Sequence, residues 1–439
     1  MKKLGFAVLL ILAGGMALAQ QKKWSAAVPL STGGEGWEAS VAVDANGAAV
    51  AVWDERTITN TIEDHIWSRT RSAAGAWSAT TVISPATPSL STTATYPKVR
   101  MSTSGDITAT WFDSTGLWTA DRPKGQSWSG PRLLLPNVSS GSFLMNSTGD
   151  SAIVWGVGRP QVNGATVYAI RRAAGGSWRA QETVATGTHI ALDSAALSDN
   201  GDLLVAWEAY TAVCTRRCRL SNYLLNVSRE AASSNAWTVS GSLAGPDSGT
   251  HYGLTAISPG GTAVLLYRNS NLAWVAVTQA TTGAAWSAPV QVLSASSAGY
   301  LAGAVSDATG VVTAAFQSGG TPAAVLTVTG DLSSNTWSAP VFISGNDQSP
   351  NSVILAGSST GGAVLLWAAG DPSLAATMIR VSFRPATMGA WSVPQTISPA
   401  GATLAAPEAA DVNANGQAIA VFSAYDASTS MHTEYASSN

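Results

Sequence analysis

Residues 44–53 read DANGAAVAVW, and residues 75–84 read GAWSATTVIS. The first stretch carries an Asp, a Gly three residues later and a Trp six residues after that. The same offsets recur through the chain, as Asp44/Gly47/Trp53, Ser102/Gly105/Trp111, Asn146/Gly149/Trp155 and Ser198/Gly201/Trp207. They continue as Ser258/Gly261/Tyr267, Asp307/Gly310/Phe316, Ser358/Gly361/Trp367 and Asn413/Gly416/Phe422. The second stretch supplies a Trp, usually followed by Ser, at positions 24, 77, 128, 178, 237, 286, 337 and 391, spaced 49 to 59 residues apart. The two marks alternate throughout. A period near fifty residues signals a repeat architecture.

Each unit reads as four short strands. In the first, SVAVD ends at Asp44 and a DANG turn follows, where the Asp side chain accepts backbone N–H bonds and Gly tolerates positive φ. AAVAVW is an apolar run suited to a strand buried on both faces. DERTITNTIED reads as a loop, HIWSRTR alternates as a half-exposed strand, and AWSATTVIS forms the fourth strand. One such unit cannot bury its own faces, so the units must pack around an axis. The expectation is an all-β, eight-bladed β-propeller with four antiparallel strands per blade. The last unit stops after three strands, and residues 22–31, KKWSAAVPLS, provide the missing one. Pairing the two ends closes the ring and removes an open sheet edge.

The chain opens MKKLGFAVLLILAGGMALAQ. Lys2 and Lys3, an apolar stretch and Ala17-Leu18-Ala19 have the form of a secretory signal peptide over residues 1–19, leaving 20–439 as one domain. A bacterial periplasmic or extracellular location is expected. No later stretch holds the ~20 apolar residues of a membrane span, so membrane insertion is not expected. Charged residues make up 11% of the chain and the net charge is −3, with no basic stripe. Nucleic acid is therefore not expected as a partner. A monomer without cofactor or metal is expected. Cys214 and Cys218 lie in the longest inter-strand loop and read as a disulfide worth about 2 kcal/mol in the chain-entropy model; a metal site is the competing reading.

Seventeen Trp suggest sugar binding, but most repeat at fixed registers and so read as wedges between blades. Burying one indole removes ~200 Å² from water, about 5 kcal/mol as an upper estimate. Trp37 breaks this grammar. It stands ten residues before the turn Gly, in the stretch entering strand 1. At that position or the next, other units carry Tyr96, His251, Tyr252 and Tyr300, and unit 1 adds Glu38. The segments after strand 2 add Asp54, Glu55, Arg56, Asp113, Glu208 and Arg268 to the same face. Aromatic rings beside carboxylates and Arg suit a hydroxyl-rich ligand. These residues form the candidate ligand-binding set, with no catalytic residue assigned.

The turn before the second Trp, as in RSAAGAW, TQATTGAAW and TGDLSSNTW, resembles a degenerate Asp-box, the S-x-D-x-G-x-x-W turn of sialidase-like propellers. The Asp is missing from most copies, and sialidases have six blades. The W-S-x-P-x-x-I-S text is also similar to secreted bacterial propeller repeats, which share no common activity. The sialidase resemblance would imply an arginine triad, for which Arg56, Arg100 and Arg268 are available. It would also imply a Tyr nucleophile, a Glu partner and an Asp acid/base, with Tyr96, Tyr252, Glu38 and Asp54 as the available groups. The functional expectation is an exported, non-catalytic binding propeller with a glycan or protein at the channel mouth. A sialidase-like glycoside hydrolase and an envelope scaffold for protein partners stand as alternatives.

Overall fold

The computed structural model describes residues 22–31, 34–58, 62–85, 94–157, 164–214, 218–234, 236–247, 249, 251–297, 299–320, 323–345, 347, 349–371, 376–386, 389–426 and 430–439. Among these, the strands form eight antiparallel sheets and no helix. Blade 1 is made of Glu35–Val43, Ala49–Ile58, Ile62–Arg71 and the short Thr81–Val82. The innermost strands of blades 2 to 8 are Thr95–Met101, Ser142–Met145, Ile190–Leu197, Leu254–Ile257, Tyr300–Ser306, Asn351–Gly357 and Thr403–Val412. Each packs on its neighbours in sequence order, and the last packs on the first. Val28–Pro29 pairs with Met431–Ser438 through Val28↔Ala436 and Pro29↔Tyr435. The ring is therefore closed by the N-terminal strand, as the sequence required.

Burial explains the aromatic at the end of each second strand. The core divides into eight apolar clusters, one at each interface between blades. Every cluster holds the strand-2 aromatic of one blade pressed on the blade before it. Trp111 packs on Val50, Val52 and Ile66 of blade 1, and Trp367 packs on Ala315 and Val325 of blade 6. Trp53 packs on Leu30, Ile419 and Val421, which makes the closing interface like the other seven. The turn residues act as caps. Asp44 Oδ1 accepts the N–H groups of Asn46 at 2.9 Å and Ala48 at 2.8 Å, and Gly47 takes φ +84°.

The Trp-Ser mark has a backbone cause that its text does not reveal. In blades 1, 6 and 7 the fourth strand pairs in pieces of two residues, leaving strand-3 N–H groups without a carbonyl. The Ser hydroxyl replaces it. Ser78 Oγ accepts the Thr70 N–H at 3.1 Å, Ser338 Oγ the Thr329 N–H at 3.0 Å and Ser392 Oγ the Phe383 N–H at 3.0 Å. The Ser closing the motif repeats the device: Ser84 Oγ accepts the Ile66 N–H and Ser344 Oγ the Val325 N–H. A buried N–H left unpaired is costly, so hydroxyls recur at these registers.

Three readings need correction. DERTITNTIED is mostly strand: Asp54, Glu55 and Arg56 pair in register with Ile66, His65 and Asp64. The hairpin extends because its two arms keep pairing beyond the apolar core. Strand 1 starts earlier than SVAVD, so Trp37 and Glu38 belong to it. Cys214 and Cys218 end two long strands rather than lie in a loop, facing each other across the ladder. Their side chains, like residues 1–21, lie outside the described residues.

Candidate functional site

The Asp/Gly turns crowd one end of the central channel. There a cavity of about 480 Å³ is lined by all eight blades. The candidate residues occupy the opposite rim, where each first strand begins. A recurrent distortion shapes that rim. Glu38, Tyr96, Tyr252 and Ser352, each nine residues before a turn Gly, have φ of 53°, 54°, 52° and 52°. Left-handed backbone is rare for residues with a Cβ, and in blades 1, 2 and 7 the ladder register shifts at this point. A bulge of this kind re-aims side chains at a rim. It leaves Tyr96 and Tyr252 exposed and swings Glu38 across to blade 2, where its Oε2 accepts the Tyr96 N–H at 2.7 Å.

The structure sorts the candidates into two groups. The first spans blades 8, 1 and 2. Trp37 is 38% exposed, and its ring lies on His432 of blade 8 at 4.3 Å between centroids. Tyr425 meets the other edge of His432 at 5.5 Å. Asp54 faces Trp37 in register and is 8% exposed. Glu55 accepts the indole N–H of Trp53 at 2.8 Å. Arg56 is tied to Asp64 at 2.9 Å.

The second group spans blades 4 and 5. Glu208 accepts the N–H of His251, which is 1% exposed. His251 Nδ1 and Nε2 lie 3.0 and 3.2 Å from the carbonyls of Arg268 and Tyr223. Its ring therefore ties strands together. Tyr252, Arg268 and Asp247 border a cavity of about 250 Å³ beside it.

Two candidates join neither group. Tyr300 is exposed on blade 6, away from both groups. Asp113 Oδ1 accepts the Thr115 N–H at 2.7 Å and the Gly116 N–H at 3.1 Å, so it caps a hairpin turn. The arginine triad implied by the sialidase resemblance is not assembled. Arg56 and Arg268 stand on blades 1 and 5, across the ring from each other, and Arg100 lines the channel at the turn end.

Sequence reading missed the carboxylates that complete the first group. Glu408 and Glu434 come from blade 8, 371 and 397 residues from Trp37 in the chain. Glu408 accepts a hydrogen bond from Ser423 Oγ at 3.0 Å. Glu434 is fully buried. Asp54 Oδ1 and both carboxyl oxygens of Glu434 have no hydrogen-bond partner among the described residues. Gly36 is needed beside them, because a Cβ there would meet Glu434 Cγ at 2.7 Å. Burial first, then the Glu38, Asp64 and Glu408 carboxylates, push Asp54 up to about 8. Burial pushes Glu408 up to about 7 against the opposing Ser423 bond. Glu434 is raised well above the carboxylate range by burial and by Glu408, Asp54 and Glu55. Glu38 is raised by burial, with the Tyr96 N–H opposing. Lys98 faces this cluster and is lowered by burial. Among the described residues, no group of three His, Cys, Asp or Glu side chains has metal-holding geometry.

No family model matches this chain, and no curated protein matches it. Solved structures do resemble it. The β-propeller domain of the Trilobed protease from Pyrococcus furiosus is 9% identical with a TM-score of 0.49, over 84% of this chain and 98% of that one. An Aleuria aurantia lectin in complex with Fucalpha1-6GlcNAc is 12% identical with a TM-score of 0.38, over 84% and 99%. A Penicillium chrysogenum alpha-L-arabinanase complexed with arabinobiose is 10% identical with a TM-score of 0.39, over 72% and 100%. At these identities the likeness is one of fold, and the chemistry must be read from the rim itself.

Proposed function

We propose that this chain is an exported binding propeller that holds a glycan on the rim of blades 8, 1 and 2. Trp37 carries the reading. It is a large ring held at the rim of a protein whose strand-2 aromatics are buried wedges, and His432 lies against it at 4.3 Å between centroids. Such a ring offers an apolar face to a pyranose, and Glu38 at its edge can accept hydroxyl hydrogen bonds. Tyr96 extends the surface onto blade 2. Export rests on the sequence of residues 1–19.

A glycan array followed by titration calorimetry tests the proposal. Trp37→Ala is expected to weaken the best array ligand about tenfold, the size of one lost stacking contact. An array without signal above background, or an unchanged affinity in Trp37→Ala, would sink it. Reducing-sugar release from the array ligand, abolished in Asp54→Asn, would instead favour the hydrolase reading, since Asp54 is raised enough to hold a proton at neutral pH.

A further inference from the structure

The carboxyls behind Trp37 are more than a glycan hydroxyl requires. Asp54 and Glu55 pair in register with Trp37 and Gly36 of blade 1, Glu434 of blade 8 lies against Gly36, and Glu38 and Glu408 act on this group electrostatically. Little positive charge answers them. Lys98 faces Glu38 and Glu408, while Arg56 is engaged with Asp64 at 2.9 Å. Glu434 is entirely buried, and among the described residues neither of its oxygens has a partner. Asp54 beside it likewise keeps one oxygen unpaired among the described residues. Buried polar groups are paired in nearly all folded proteins, so an unpaired buried carboxyl marks a place where a donor is missing. The aromatic neighbours have matching character: Trp37, paired in register with Asp54, lies on His432, which meets Tyr425, and a Trp face attracts a cation as well as a sugar.

We infer that the rim between blades 8 and 1 recognises a glycan carrying free amino groups, with the sugar ring on Trp37 and its ammonium directed to Asp54, behind which Glu434 is buried. This rests on the glycan-binding reading and narrows its ligand. An ammonium supplies three donors and a positive charge, which is what the unpaired oxygens lack. A neutral N-acetyl group supplies one donor and no charge. Asp54, pushed up to about 8 by burial and by neighbouring carboxylates, carries a proton at neutral pH, so docking of the ammonium on it is accompanied by release of that proton to the solvent.

The test is calorimetry of the full chain with glucosamine oligomers and with their N-acetylated counterparts at equal length, in two buffers of different ionisation enthalpy. The glucosamine oligomer is expected to bind at least tenfold tighter, with proton release visible as a buffer-dependent enthalpy. Glu434→Gln should weaken that preference, and Asp54→Asn should remove both the preference and the proton release. Asp54→Asn, which is nearer the surface, serves as the second variant should Glu434→Gln fail to fold. Trp37→Ala should weaken both oligomers alike. Equal binding of the two oligomers overturns the inference and leaves glycan binding standing. Poly-lysine competing as well as the glucosamine oligomer overturns it in favour of a protein ligand. Absence of binding by any glycan overturns both readings.

Discussion

Replacing Asp54 with Asn should make the protein less sensitive to rising pH. Asp54 holds its proton up to about pH 8 in the folded state, against 3.8 as its ordinary value. A carboxyl raised on folding binds more protons in the native than in the unfolded chain, so its contribution is complete below about pH 4 and is lost steadily as pH climbs toward 8. Each pH unit inside that window removes about 1.4 kcal/mol, and the step from pH 5 to pH 7 removes about 2.7 kcal/mol. Unfolding entropy near ~2.1 cal/mol/K per residue gives a chain of this length ~0.9 kcal/mol/K. The lost stability then corresponds to a fall of about 3 °C in Tm. Asn keeps the shape and drops the titration. Differential scanning calorimetry at pH 5, 6 and 7 should therefore show the native protein losing about 3 °C more than Asp54→Asn across the range. Parallel Tm curves for the two proteins, or a native curve that rises faster than that of the variant, would refute the placement of a proton-holding carboxyl in this cluster.

Two further expectations test the scaffold. Trp367→Ala empties the wedge between blades 6 and 7, where the indole is fully buried; it should cost ~3–5 kcal/mol in urea unfolding, and a loss below 1 kcal/mol would contradict the wedge role. Ser338→Ala removes the hydroxyl that accepts the Thr329 N–H at 3.0 Å, and should cost ~1 kcal/mol, whereas Ser338→Thr keeps the acceptor and should stay close to the native value.

Much of the candidate site could not be read from the chain. Trp37 stood out because it violated a strict repeat, and Glu38, Tyr96 and Tyr252 because they shared its register. The sequence could not tell that His251 lies buried between two carbonyls while Tyr252, one residue on, is exposed. The left-handed turn of the backbone at Tyr252 separates them. Asp113 and Glu55 looked like ligand groups, yet one caps a turn and the other satisfies a wedge indole.

By itself the sequence determined the number of blades, the strand order within them, the aromatic wedges and the meeting of the two ends. All of these follow from local periodicity, since every blade repeats the same turn, the same apolar run and the same unfinished edge. What only the tertiary structure decided is which carboxyls share a site. Glu408 and Glu434 reach Asp54 because ring closure lays the last blade against the first. Their burial, and with it their hold on protons, is a property of that interface, and no spacing along the chain encodes it.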